Sequence, residues 1–183
     1  TNRNMIYLNA SSTPDEGVVA EVVHIKSLND FKTKDVSGKI VFSEMSAYRL
    51  YEGAIIQGKA LGFITYNNPD YLQPEKNTTS IQFRSMRYKE DVNAWGIALS
   101  YQAHEILKNA LSKGKVSTKV NIKTKLYPSE ELTVVASIKG TDLANESLVF
   151  SAHVQEPGAN DNATGVGAQL EMAMLSAKLI KEN

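Results

Sequence analysis

Apolar residues recur along this chain with two periods, and the period changes where the elements change. Val18 to Ile25 is rich in β-branched residues and follows the turn-prone Ser11 to Gly17 stretch, so it predicts a strand. Ile40 to Phe42 predicts a second strand behind the turn at Gly38. Tyr51, Ala54, Ile55, Gly58 and Leu61 then recur at three and four, the spacing of one buried helix face. They predict a helix from about Ala47 to Leu61, with Ser46 as its N-cap and Gly62 ending it. Gly62 to Tyr66 and Gly96 to Leu99 are the next two expected strands. Ser100 is expected to cap a helix reaching Ser112, with Ala103, Ile106, Leu107, Ala110 and Leu111 turned inward. Val116 to Leu126 alternates with period two, the pattern of a half-buried strand.

Pro128 interrupts that pattern and marks a junction. Beyond it, Leu132 to Ile138 and Leu148 to Ala152 read as strands separated by a polar connection. A last helix is expected from about Thr164 to Lys181, with Val166, Leu170, Ala173, Met174, Ala177 and Ile180 on the face that packs on a sheet, and Glu171 facing solvent. Between Asn68 and Trp95 no period is visible. That stretch holds Tyr71, Tyr88, Trp95, Arg84, Arg87 and Met86 and reads as a covering loop whose aromatics anchor it in the core, with a recognition loop as the alternative. The fold class is therefore mixed α/β, a β-rich unit with flanking helices followed by a shorter α/β unit.

Composition narrows the chemistry. The 183 residues suffice for one large or two small domains, without disulfide staples. There is no cysteine, so any metal must be held by His, Asp or Glu. Lys plus Arg and Asp plus Glu are 20 each, which gives no footprint for nucleic acid or an anionic membrane. No run of about 18 apolar residues is present to span a bilayer. The opening Thr1-Asn2-Arg3-Asn4 has neither an initiator Met nor a signal peptide, and reads as the start of a processed or trimmed piece. The Asn-x-Ser/Thr sequons at Asn77, Asn145 and Asn162 are short enough to arise by chance.

The one stretch with the residue types for catalysis runs from Ala152 to Gly165. It places His153 where an apolar strand ends and Asp161 where a helix begins. That edge of an α/β sheet is where ligands sit. Imidazole and carboxylate are donors that zinc accepts at about 2.0–2.2 Å. A strand-end His and a helix-capping Asp are also common structural residues. His24 reads as a strand-face residue and His104 as a surface or groove-lining one, neither as a ligand.

The words around the pair add specificity. His153, then Pro157-Gly158-Ala159-Asn160-Asp161-Asn162-Ala163-Thr164-Gly165-Val166, resembles the signature of the co-catalytic di-zinc exopeptidases (clan MH). Bacterial secreted aminopeptidases, glutamate carboxypeptidases and transferrin-receptor-like homologues belong to that family. The resemblance covers about Leu132 to Lys181. It implies that His153 ligates one zinc and that Asp161 bridges two. The family has an Asp two residues after the His, as a partner behind the imidazole; here that position is Gln155, which accepts a hydrogen bond but brings no charge. Glu156 matches no family ligand.

Residues 15–127 are similar to the protease-associated domain, through the order Gly38-Lys39-Ile40-Val41, helix, Ala60-Leu61-Gly62-Phe63-Ile64-Thr65-Tyr66. The expected division is a lead-in over 1–14, that domain over 15–127, and the N-terminal part of a catalytic domain over 128–183.

The resemblances imply a parent protein that is a zinc-dependent exopeptidase of aminopeptidase type, carrying two Zn²⁺ ions, exported, and acting on a peptide or protein substrate. The protease-associated domain would be its lid or partner-contact module. The family's general base and remaining ligands follow the last helix, and are expected beyond Asn183. This chain alone is therefore expected to hold no catalytic residue, to be inactive, to bind zinc weakly or not at all, and to self-associate. The alternative is a receptor-like homologue without catalysis, which Gln155 favours. The intact His153, Asp161 and Pro157-to-Asn162 run favours the enzyme.

Overall fold

A computed structural model describes residues 5–143, 145–156 and 158–182. Three parts of the sequence reading lie outside the described residues: positions 1–4 of the lead-in, Pro157 of the signature, and Asn183, beyond which the general base is expected. The chain is mixed α/β and divides into two compact units, one ending at Pro128 and the other beginning at Ser129.

The first unit is built on a five-stranded sheet. Its strands are β1 (Val18–His24), β2 (Ile40–Ser43), β3 (Gly62–Thr65), β4 (Trp95–Ala98) and β5 (Val116–Val120), in the order β4-β3-β2-β1-β5. The first four run parallel and β5 is antiparallel to β1. Parallel strands covered on both faces read as unbroken apolar runs, and β2, β3 and β4 are buried at every position. The outer strand β5 alternates half-buried and exposed residues, as its period-two sequence requires. Ile40, Phe42, Phe63, Leu50 and Ile25 form the centre of the core.

The free edge of β4 is covered by the apolar run near the N-terminus. Tyr7 donates its N–H to the Gly96 carbonyl at 3.0 Å, and Leu8 bridges to Ser85. An edge strand left bare would pair with another chain. Burial raises the pKa of the Tyr7 hydroxyl against opposing effects of the Thr65 hydroxyl, 2.5 Å away, and the Arg84 charge. At the other end of the unit the alternating segment leaves the sheet after Val120. Residues 122–124 instead run beside residues 10–13, tied by Thr13 N–H to the Ile122 carbonyl at 3.0 Å and by Thr124 N–H to Ser12 Oγ at 2.9 Å.

The helix after β2 differs from its expectation. It starts as α1 (Ala47–Tyr51) and widens into a π-helical stretch over Glu52–Gln57. Gly58 closes it by donating to the Gly53 carbonyl at 2.9 Å. Ser46 makes no side-chain cap. Gly62, expected to end the helix, instead opens β3. A Cβ there would run into the Trp95 ring, so the glycine is fixed by packing and not by capping.

α2 (Tyr101–Lys113) is capped as expected: Ser100 Oγ accepts from the Ala103 N–H at 3.3 Å. Ala103, Leu107 and Leu111 of its expected inward face pack against the core, and two positions differ. Ile106 is exposed, and His104, expected at the surface or lining a groove, is 4% exposed. The reason is a polar partner that the local sequence does not reveal. Glu44, just after β2, accepts from His104 Nε2 at 3.2 Å and from His24 Nε2 at 2.8 Å. His104 also stacks on Tyr66, with ring centroids 4.2 Å apart. A buried imidazole needs such partners, and the shared carboxylate lies 20 positions from one histidine and 60 from the other.

In the 68–95 stretch Met86, Ala94 and Trp95 are buried, whereas Tyr71, Phe83 and Tyr88 are exposed. Of the aromatics expected to anchor the loop, Trp95 is buried and does so together with Met86, while Tyr71 and Tyr88 do not.

In the second unit the expected strands at 132–138 and 148–152 are not formed among the described residues. Leu132, Val134, Leu148 and Val149 are exposed. Two strands without a covering layer leave their apolar faces and backbone groups in water, where an isolated pair is marginal at best. The last helix is present as α3 (Ala163–Glu182), close to its expected limits, but it buries none of its described residues. Its apolar stripe has no sheet to pack on.

Two outcomes follow from the first unit. Burial raises the Glu44 pKa, but hydrogen bonds from His24 and His104 and the His24 charge outweigh it and hold the carboxyl below its usual range. A carboxyl lowered by folding stabilises the fold above its unfolded pKa and loses that contribution as pH falls through the folded one. Chemical denaturation of wild type and Glu44→Gln should differ most at neutral pH and converge once pH drops well below the ordinary glutamate value of about 4.3. An unchanged difference at acid pH would contradict the assignment. Separately, Gly62→Ala should cost about 1–3 kcal/mol by overpacking against Trp95. The midpoint of urea unfolding reads this directly, and an unshifted midpoint would show that the ring moves aside freely.

Candidate metal centre

The signature stretch of the second unit folds back on itself. Ala163 N–H donates to the Gly158 carbonyl at 3.1 Å and Thr164 N–H to the Ala159 carbonyl at 2.9 Å. The Thr164 hydroxyl donates to the Asn160 carbonyl at 3.3 Å. Val166 N–H then reaches the Asn162 carbonyl at 3.1 Å and starts the regular ladder of α3. Two glycines permit this closure. A Cβ on Gly158 would lie 2.5 Å from the Asp161 carbonyl oxygen, and one on Gly165 would strike the Asn162 amide. The glycines of the motif are thus explained by close approach within the turn.

The turn carries Asp161 back toward the segment that holds His153. His153 Nε2 lies 3.1 Å from Asp161 Oδ1. The carboxylate of Glu156 joins them: ligand atoms of His153, Glu156 and Asp161 all lie within 4.8 Å of one another. The structure therefore brings together the two residues singled out in the sequence and adds one that matches no family ligand. Glu156 is close to His153 in sequence, and only the reversal of the chain after it makes the pair converge with Asp161. Gln155 is exposed at a bend and makes no hydrogen bond to His153 among the described residues.

One imidazole nitrogen and two carboxylate oxygens are a donor set that suits zinc. Three protein donors also leave a coordination position open, as a catalytic site requires. So the residues present fit one ion. No further His, Asp or Glu joins the group among the described residues, so a second ion finds no complete shell here. The side chains of His153 and Asp161 are 42% and 70% exposed, and water competes with any ion at such a site.

Residues 133–182 match the model of peptidase family M28. No curated protein matches the chain. Three solved structures are similar to it. One is a peptidase M28 precursor from Shewanella amazonensis, 18% identical, covering 63% of this chain and 31% of that one, with a TM-score of 0.44. An aminopeptidase from an Aneurinibacillus species is 25% identical over 60% of this chain and 26% of its own, with a TM-score of 0.42. A zinc aminopeptidase from Bacillus subtilis is 19% identical over 63% of this chain and 26% of its own, with a TM-score of 0.46. The match thus spans between 26% and 31% of the length of these structures.

The three-donor set makes a direct prediction. Calorimetric titration of the chain with Zn²⁺ should show one weak site, far short of the roughly 10–16 kcal/mol of a structural zinc. His153→Ala and Asp161→Asn should each abolish it, and Glu156→Gln should weaken it. Unchanged binding in Glu156→Gln would remove that residue from the shell.

Proposed function

We propose that the chain is part of a zinc-dependent exopeptidase of the M28 kind, cleaving a terminal residue from peptide or protein substrates. The observation that supports this best is the coincidence of two facts in one segment. The segment that matches the M28 model is also the one whose turn gathers His153, Glu156 and Asp161. The resemblance of the Pro157-to-Gly165 signature supports an exopeptidase, with action at the amino end as the reading we take.

In this reading residues 15–127 are a protease-associated domain that serves as lid or partner contact. Residues 128–183 open the catalytic domain, and residues 1–14 lead into the first. The parent carries two zinc ions, and it is exported. His153 would hold one ion, and Asp161 would contribute a carboxylate to the pair. Bound zinc would supply Lewis acidity toward a peptide carbonyl and toward water. The residues of this chain contribute position and charge. Asp161 would offer negative charge that offsets the repulsion between two neighbouring dications. Gln155 holds the sequence position of the partner expected behind the imidazole, but it makes no hydrogen bond to His153 among the described residues and has only a neutral acceptor to offer. The general base and the remaining ligands are expected from other residues of the catalytic domain.

The bare apolar stripe of α3 and the exposed residues at 132–135 and 148–150 support the idea of an unfinished domain. Large exposed apolar patches mark surfaces that another layer covers. In the parent that layer is the remaining sheet and helices. In the isolated chain it is a second copy.

A receptor-like homologue is the second reading, and Gln155 is the observation that favours it. The two separate in the full-length parent through metal content and peptide turnover. Asp161→Asn should remove activity and at least one zinc. His153→Ala should leave only a trace, and Gln155→Asp should keep or raise the rate, since restoring a partner of this kind typically changes metal affinity by about 10–100-fold. Full zinc and full turnover in Asp161→Asn would reduce Asp161 to a helix cap, a role Asn fills equally well, whereas a wild-type parent with neither zinc nor turnover would leave the receptor-like reading standing.

A further inference from the structure

The chain has four arginines among its 20 basic residues, Arg3, Arg49, Arg84 and Arg87, while lysines are spread throughout. Arg3 lies outside the described residues. The other three sit on the two segments that wall a single groove of the first unit. One wall is the start of α1, with Tyr48 and Arg49. The other is the 83–87 part of the long loop, held in place by backbone bonds from Leu8 N–H to the Arg84 carbonyl at 2.7 Å and from Met86 N–H to the Leu8 carbonyl at 3.1 Å. The groove has a volume of about 320 Å³ and is lined by Tyr7, Tyr48, Phe83, Arg84 and Ser85, among others.

None of the three arginines is paired with a carboxylate among the described residues. Arg84 is half-buried, and its Nη2 donates to the Asn67 carbonyl at 3.1 Å and to Gln82 Oε1 at 2.8 Å. Those are neutral acceptors that hold the guanidinium in place and leave its charge uncompensated. The Arg87 guanidinium lies 4.0 Å from the centre of the Tyr48 ring. Glu52, one turn further along the helix, accepts from Gln57 instead. Tyr48 and Phe83, on opposite walls of the groove, are 69% and 66% exposed. Rigid aromatics and fixed arginines are the residue types that dominate binding hot spots. A guanidinium already positioned by neutral acceptors loses little freedom on meeting a carboxylate, which it binds as a fork.

We infer that this groove docks an extended acidic peptide segment, its Glu or Asp side chains on Arg84 and Arg87 and an apolar residue between Tyr48 and Phe83. The inference does not rest on the metallopeptidase reading, because it concerns the first unit alone and its test needs neither metal nor turnover.

Fluorescence anisotropy with the full chain tests it. The probe is a fluorescein-labelled, C-terminally amidated peptide, Glu-Glu-Phe-Glu-Glu, compared with Gln-Gln-Phe-Gln-Gln. The acidic peptide should bind about tenfold tighter or more, the scale of a charge-assisted hydrogen bond, and its binding should weaken with salt. Arg87→Met at an exposed position should lose about fivefold or more, with Arg84→Met at least as damaging and Tyr48→Ala also weakened. Thermal melts would show that Arg87→Met and Tyr48→Ala keep the fold. Three results would overturn the proposal. The first is equal binding of both peptides, and the second is unchanged affinity in both Arg87→Met and Tyr48→Ala. The third is equal or tighter binding of a thymidine decanucleotide, or of the glutamine peptide with a free C-terminus, since the groove would then take anions of another kind.

Discussion

A strand exists in this chain only where a neighbour completes its backbone hydrogen bonds. That constraint decides both units. In the first, four parallel strands and one antiparallel strand supply one another, and the segment at residues 6–8 closes the remaining edge of β4. In the second, Leu132 to Ile138 and Leu148 to Ala152 have the composition of strands but no neighbouring ladder, and their backbone stays in irregular conformation. Helix α3 does form, because its hydrogen bonds are internal to the segment. The difference between the two units is therefore in the partners available and not in the local propensity of the sequence.

The same constraint explains how far the sequence can be read. Elements whose signal is local are legible: the β-branched run of β1, the Ser100 cap of α2, the apolar runs of β2 and β3, and the limits of α3. What is not legible needs information from far along the chain. Gly62 reads as a helix terminator, but its meaning lies in Trp95, its partner in the paired register of β3 and β4. His104 reads as a surface residue, because its partner Glu44 lies 60 positions away, at the end of another strand. Ile106 fits the same apolar stripe as Ala103, Leu107 and Leu111, yet it is exposed, while His104, bonded to Glu44 and stacked on Tyr66, is buried.

At the candidate metal centre the balance is similar. His153 and Asp161 are visible through their position between an apolar run and a helix, and through the words that surround them. Glu156 is not, since only the tight turn closed by Gly158 and Gly165 folds its carboxylate toward the pair. Sequence spacing measures distance along the chain, and the turn closed between residues 158 and 164 makes that measure useless. One short loop supplies a nitrogen and two oxygens, which shows how a turn can gather donors before any wider scaffold fixes them.

The pairing of residues 10–13 with residues 122–124 has a consequence for how this unit can be carried in a longer chain. Its entrance and its exit are stitched side by side, through Thr13, Ser12 and Thr124 and the Thr124 hydroxyl bond to the Ala10 carbonyl at 2.7 Å. A module whose two ends meet makes almost no demand on the geometry of the polypeptide that hosts it. Tolerance to insertion follows from ends that lie close together, and here the stitch brings the exit beside residues 10–13 while residues 6–8 stay bound to the β4 edge.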